Sequence, residues 1–180
     1  DFDCKVLPGF RPDKALGIEL PGFAEYINKL GESAGIKIGS YKDVIAALLA
    51  RIDVFNATGC RVSDHAFSYM PYVQDSEEQI EASFERAMNG EKISQRDVDA
   101  YKTAVMQALG EKYHSLGWAM EIHIGAMRNN NSKMFAALGP DTGFDSVGDD
   151  KTAYMLSRFL DSLCSRDKLP KTVLFNLNSK

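Results

Sequence analysis

The sequence has little of what staples, anchors or polarises an unusual fold. Its 180 residues include only three cysteines, Cys4, Cys60 and Cys164. They are odd in number, far apart and without a C-x-x-C pair, which argues against a disulfide framework and a zinc knuckle and suits a reducing compartment. The three histidines, His65, His114 and His123, contain no H-x-H pair. They therefore offer no convincing zinc site by themselves. No apolar run approaches the ~20 residues that a membrane helix needs. The opening DFDCKVLPGF lacks the basic-then-apolar form of a signal peptide, so a cytoplasmic location is the default. A net charge of −4 gives no general reason to expect a nucleic-acid partner or an anionic membrane surface. There is no internal repeat and no low-complexity segment. The Gly- and Asp-rich stretch GPDTGFDSVGDD (139–150) matches neither a calcium loop nor a phosphate-binding glycine pattern.

What is present is the composition of an ordinary soluble globular protein, 44% hydrophobic and 26% charged, long enough for one domain with a sizeable core. Four short segments rich in apolar and β-branched residues are expected to be strands: CKVLPGF (4–10), CRVSDHA (60–66), WAMEIHIG (118–125) and KTVLFNL (171–177). Helical periodicity fills the intervals at 21–35, 40–59, 75–90, 94–117 and 152–164. Ser40 can cap the second of these and Gly59 can end it. Ser76 and Gln79 form a capping-box pattern at the start of the third. Strands separated by helical crossovers predict an α/β fold, a parallel sheet with helices outside it. The stretch between the third strand and the last helix is expected to be a long loop.

In parallel α/β folds ligands bind beyond the carboxyl ends of the strands. The residues there are Arg11, Pro12, Asp13 and Lys14 after the first strand, and Ser63, Asp64 and His65 at the second. His123 stands at the third, followed by Arg128 and Asn129 to Asn131, and Asn176 and Asn178 follow the fourth. Each has an ordinary structural reading. Arg11 could pair with Asp13 in the turn RPDK, Asp64 could cap backbone after its strand, and His114 reads as a solvated helix residue. A lone histidine such as His123, alternating with Ile122 and Ile124, is structural more often than functional. Together they carry more weight. A guanidinium, a carboxylate and an imidazole at successive strand ends suit a small anionic substrate near a metal.

FRPDKA (10–15), GCRVSDHAF (59–67), EIHIGAMRNNNSKMF (121–135), LGPDTGFDSVGD (138–149) and LPKTVLFNLN (169–178) together resemble uronate isomerase, also called glucuronate isomerase, of the amidohydrolase superfamily. The resemblance runs through the whole chain. It implies a distorted (β/α)₈ TIM barrel that interconverts aldo- and keto-hexuronates, D-glucuronate with D-fructuronate and D-galacturonate with D-tagaturonate. A divalent metal, usually zinc, is implied, as is a homo-oligomeric enzyme of uronate catabolism. By motif, Arg11 corresponds to the arginine that binds the substrate carboxylate, Asp64 to an active-site acid at the end of the fourth barrel strand, and His123 to the fifth-strand histidine, a metal ligand in the superfamily's pattern.

The family's H-x-H pair and last-strand aspartate have no counterpart here. The four strands are accordingly expected to be barrel strands three to six. Residues 1–180 are then one domain, an internal part of the enzyme and inactive alone. Two other readings stay open from the sequence: a metal-dependent hydrolase of the same superfamily, and a non-catalytic α/β module.

Overall fold

A computed structural model describes residues 3–150 and 152–177. Its centre is a parallel sheet of three strands, β1 (Val62–Ala66), β2 (Ala119–Ile124) and β5 (Lys171–Asn176), lying side by side in chain order. Parallel neighbours need a crossover. The crossovers are helical, as expected: α4 (Glu77–Met88) and α5 (Gln95–Leu116) between β1 and β2, and α7 (Thr152–Cys164) before β5. Consecutive parallel strands backed by helices are the repeating unit of a (β/α)₈ barrel.

The helices begin where their capping residues stand. Ser40, Ser76 and Ser94 each accept a hydrogen bond from the backbone N–H three residues on, opening α3 (Tyr41–Ala57), α4 and α5. Each cap satisfies one of the orphan donors of a first helical turn. In α5 the buried positions Val98, Tyr101, Val105, Leu109 and Tyr113 recur at three- and four-residue intervals. They make one apolar stripe of a helix that packs against β2, α3 and α7, with Gly110 meeting Leu163 of α7. The core thus lies between the sheet and α2 (Phe23–Ala34), α3 and α5. At its centre Tyr113 and Trp118 stack with ring centroids 5.7 Å apart, and the Trp118 indole N–H donates to Asn56 Oδ1.

Two expectations need correction. The segment 4–10 is not a strand: Asp3 to Gly9 are exposed, and only Phe10 pairs, in an isolated parallel bridge to Ser63. Pro8 has no N–H to give a ladder, and Gly9 adds no side chain to pack. Phe10 still sits on the outer edge of β1, so the order of the four segments across the sheet is the expected one. The long loop is also more structured than its composition suggested. It contains an antiparallel pair, β3 (Ala126–Met127) with β4 (Ser146–Val147), and a short helix α6 (Ser132–Leu138). Asn178 lies outside the described residues.

Candidate functional site

The alternation of β1 and β2 decides which side chains can meet. Ser63 and His65 of β1, and Met120, Ile122 and Ile124 of β2, are buried. They form the helix-facing side of the sheet. Asp64, Glu121 and His123 consequently share the opposite face, since side chains alternate with a period of two. Register places Asp64 beside Glu121, and Ala66 beside His123.

Arg11, Asp64 and His123, chosen from the sequence at three separate strand ends, come together. Arg11 Nη1 donates to Asp64 Oδ2 at 2.8 Å, and His123 Nε2 lies 3.2 Å from Asp64 Oδ1. The His123 ring lies flat on Phe175 of β5, with centroids 4.5 Å apart and planes inclined by 10°. That contact fixes one face of the imidazole. Asp13, which opens the short helix α1 (Asp13–Leu16), joins from behind. Its Oδ2 accepts from Arg11 Nε at 3.0 Å and from the backbone N–H of Ala66 at 3.1 Å. The ordinary pairing of Arg11 with Asp13 and the bridge to Asp64 therefore coexist on one guanidinium. Burial disfavours the Arg11 charge, but the neighbouring Asp13 and then Asp64 outweigh it and raise the Arg11 pKa above its ordinary value.

Behind Asp13 sits His65, fully buried. Its Nδ1 faces Asp13 Oδ1 at 3.4 Å, while Nε2 meets the Tyr113 hydroxyl at 3.3 Å. Burial drives the Tyr113 pKa well upward, so the phenol stays protonated. His65, the sequence's polar strand neighbour, is thus enclosed between sheet and α5 and has no place on the open face. His114 is exposed, with Nδ1 3.0 Å from the Leu169 carbonyl oxygen.

The run Arg128-Asn129-Asn130-Asn131 builds the loop that leaves the site. Arg128 pairs with Asp145 at 2.6 Å. Asn129 takes a left-handed backbone (φ 59°) and gives its N–H to Asp145 Oδ1. Asn130 donates its side-chain amide to Met127 O and Ser146 Oγ, and Asn131 caps α6 through Met134 N. Asparagine suits all three tasks, because its short amide both tolerates the left-handed region and mimics backbone. A cleft of about 210 Å³ opens between this loop and the sheet, bordered by Phe67, His123, Arg128 and Phe175.

Asp64, Glu121 and His123 offer ligand atoms that all lie within 4.8 Å of one another. Asp64 Oδ1 is buried and makes no hydrogen bond. Its 3.2 Å separation from His123 Nε2 is close to the ~3.3 Å between two ligands on a tetrahedral ion with ~2.0–2.1 Å bonds. One positive side chain, Arg11, stands among three carboxylates, those of Asp13, Asp64 and Glu121, so a divalent cation would balance the cluster. One imidazole and two carboxylates are a donor set that fits such an ion. Glu121 escaped notice in the sequence, yet it carries a readable signal: it is two residues before His123 and so on the same strand face.

An open parallel α/β segment, with a basic, an acidic and an imidazole group gathered at its carboxyl end, is the arrangement of part of a barrel-type α/β domain. Comparison with known proteins narrows this. The family described as glucuronate isomerase matches residues 1–180, and the chain belongs to that family. It is 51% identical over 178 residues to the uronate isomerase of Caldanaerobacter subterraneus subsp. tengcongensis, covering 99% of this chain and 38% of the relative. The Clostridium acetobutylicum uronate isomerase is 50% identical over 177 residues, covering 98% and 38% respectively. The crystal structure of uronate isomerase from Thermotoga maritima superposes with a TM-score of 0.88 at 33% identity, covering 96% of this chain and 38% of that one. The chain thus spans well under half the length of these relatives. None of its described helices is long and apolar enough to cross a membrane.

Proposed function

We propose that these residues supply the carboxylate-binding and proton-handling side of a hexuronate isomerase site, a cytoplasmic activity of uronate catabolism acting on D-glucuronate and D-galacturonate. One observation carries the reading. Arg11, Asp64 and His123 come from three distant chain segments and meet within 2.8 and 3.2 Å at the carboxyl end of a parallel sheet. A group of that kind has little structural purpose on an open face, where exposed ion pairs contribute only ~0–1 kcal/mol.

Converting the aldehyde to the ketone moves a hydrogen from C2 to C1. The C2 proton is removed, O2 loses a proton and O1 gains one, and a proton returns to C1. No oxidant or reductant enters. Arg11 holds the substrate carboxylate through the guanidinium N–H groups left over from Asp13 and Asp64. Asp64, oriented through Oδ2 by Arg11, takes and returns a proton with Oδ1. His123, held flat by Phe175, and Glu121 are the donors that would hold a divalent metal while Asp64 Oδ1 stays free for the proton, with zinc favoured by the imidazole nitrogen and carboxylate oxygen. When bound, that ion would polarise the sugar's carbonyl and hydroxyl oxygens. Residues 1–180 act as one domain of the larger barrel of their relatives, which supply the remaining ligands, and the working enzyme is a homo-oligomer.

The test is a transplant. The chain replaces the matched span of the Caldanaerobacter enzyme, and ketose formation from D-glucuronate and D-galacturonate is followed beside amide hydrolysis. Isomerisation by the chimera, abolished by Arg11→Ala or Asp64→Asn and absent from the 180-residue chain alone, is the expected result. A folded chimera that hydrolyses amides and forms no ketose overturns the reading.

A further inference from the structure

We propose that Asp13 is a positioning residue whose task is to lock the Arg11 guanidinium in its carboxylate-receiving orientation. This rests on the reading of Arg11 as the group that binds the substrate carboxylate. An arginine just past an isolated bridge, with half its side chain exposed, would ordinarily sample many rotamers. Arg11 does not have that freedom, because Asp13 takes Nε at 3.0 Å while Asp64 takes Nη1 at 2.8 Å. Two of the three guanidinium nitrogens are thereby assigned. Nη2 is left, among the described residues, as the nitrogen with no protein acceptor.

Asp13 can do this because it is itself fixed in two ways. Its Cα begins α1 and its Oδ2 also accepts from Ala66 N at the end of β1, while its Oδ1 lies 3.4 Å from His65 Nδ1 without a hydrogen bond. His65 in turn is fully buried and held by Tyr113 at 3.3 Å. The chain of contacts runs from the rigid core, through Tyr113, His65 and Asp13, to a guanidinium at the surface. Asp64 cannot replace Asp13 in this role. Asp64 Oδ1 faces His123, and any change in its partners during the reaction would loosen Arg11 unless a second carboxylate held it. Preorganising a charged fork in this way lowers the ordering cost of binding.

The experiment uses the 180-residue chain and two readouts. The first is the ¹H–¹⁵Nε signal of Arg11, with its exchange rate and order parameter, in the unaltered chain and in Asp13→Asn. The second is titration with D-glucuronate and with D-glucose, which lacks the carboxylate. Asp13→Asn is expected to lower the Arg11 Nε order parameter and speed its exchange, with the Asp64 contact to Nη1 left in place. It should weaken D-glucuronate about tenfold, the scale of one lost charge-assisted hydrogen bond, and leave any D-glucose binding unchanged. Asp13→Glu keeps the charge, and should restore part of both losses. It also serves if the asparagine variant does not fold, in which case its Nε order must fall between those of the unaltered chain and a free arginine. An Arg11 Nε that stays as ordered in Asp13→Asn as in the unaltered chain overturns the proposal, whatever the sugars do. If the unaltered chain binds neither sugar while Asp13→Asn frees Nε, positioning stands and the uronate reading of Arg11 is what fails.

Discussion

Replacing Asp64 by asparagine should separate function from stability. The Arg11–Asp64 pair is short, 2.8 Å, but the two side chains are 51% and 29% exposed. At such exposure an ion pair contributes about 0.2–1 kcal/mol. Asp64 also stands near two other carboxylates, so losing its charge relieves some repulsion and pulls the net effect toward zero. For a chain of this size ~1 kcal/mol moves Tm by about 2–4 °C. The expected change is therefore a shift of less than about 4 °C by circular dichroism. Removing a proton-transfer group, by contrast, costs about 10²–10⁴ in rate, or roughly 3–5 kcal/mol of barrier. In the transplanted enzyme, ketose formation from D-glucuronate should fall by that factor while unfolding barely moves. A loss of 10 °C or more in Tm, with activity falling only as the folded fraction falls, would refute the assignment and make Asp64 a structural residue.

Three further outcomes follow from contacts elsewhere in the molecule. Tyr113→Phe strips buried His65 Nε2 of its hydroxyl partner at 3.3 Å and should cost about 1–3 kcal/mol, read from the urea midpoint. Gly31→Ala gains up to about 1 kcal/mol in helix propensity. Its new Cβ, however, would sit 2.6 Å from the Ile36 carbonyl oxygen, and net destabilisation of about 1–3 kcal/mol is expected in thermal melts. The Asp145 carboxyl is held below the usual aspartate range, first by the N–H of Asn129 and further by Arg128. Its contribution to the loop is thus complete above the ordinary carboxylate pKa and is lost as pH falls through the lower folded value. Carboxyl ¹³C shifts should show Asp145 titrating below the usual aspartate range, with β3–β4 contacts weakening only there.

The five longer helices and three strands were legible because their signals are local, whereas the short α1 and α6 were not. Ser40, Ser76 and Ser94 cap the helices they precede, and α7 begins and ends where its periodicity does. The convergence of Arg11, Asp64 and His123 was legible for a different reason: parallel α/β sheets expose their carboxyl ends, so strand-end residues are neighbours by topology. What escaped depended on register and burial. That Asp13 reaches back to Ala66 N and His65 depends on how the chain after Phe10 lies across β1, which no local pattern encodes. Glu121 lies two positions before the strand-end His123, and only side-chain alternation brings it to the same face. The failed strand at 4–10 had apolar residues but also Pro8 and Gly9, and the breakers prevailed. The RNNN run reads from the sequence as shaping the loop that leaves the site, and its side chains do make turns, an ion pair and a cap.

β5 has a consequence for how the molecule fluctuates. It pairs only with β2 among the described residues, and Val173 and Phe175 on one face and Leu174 on the other are each more than 40% exposed. In the 180-residue chain by itself, amide protection should therefore descend across these strands, from β2, paired on both sides, to β5. Phe175 is the surface on which His123 rests, so each transient fraying of β5 would let the imidazole swing. In the 180-residue chain by itself the orientation of that ring is a time-averaged property, governed by the opening equilibrium of β5.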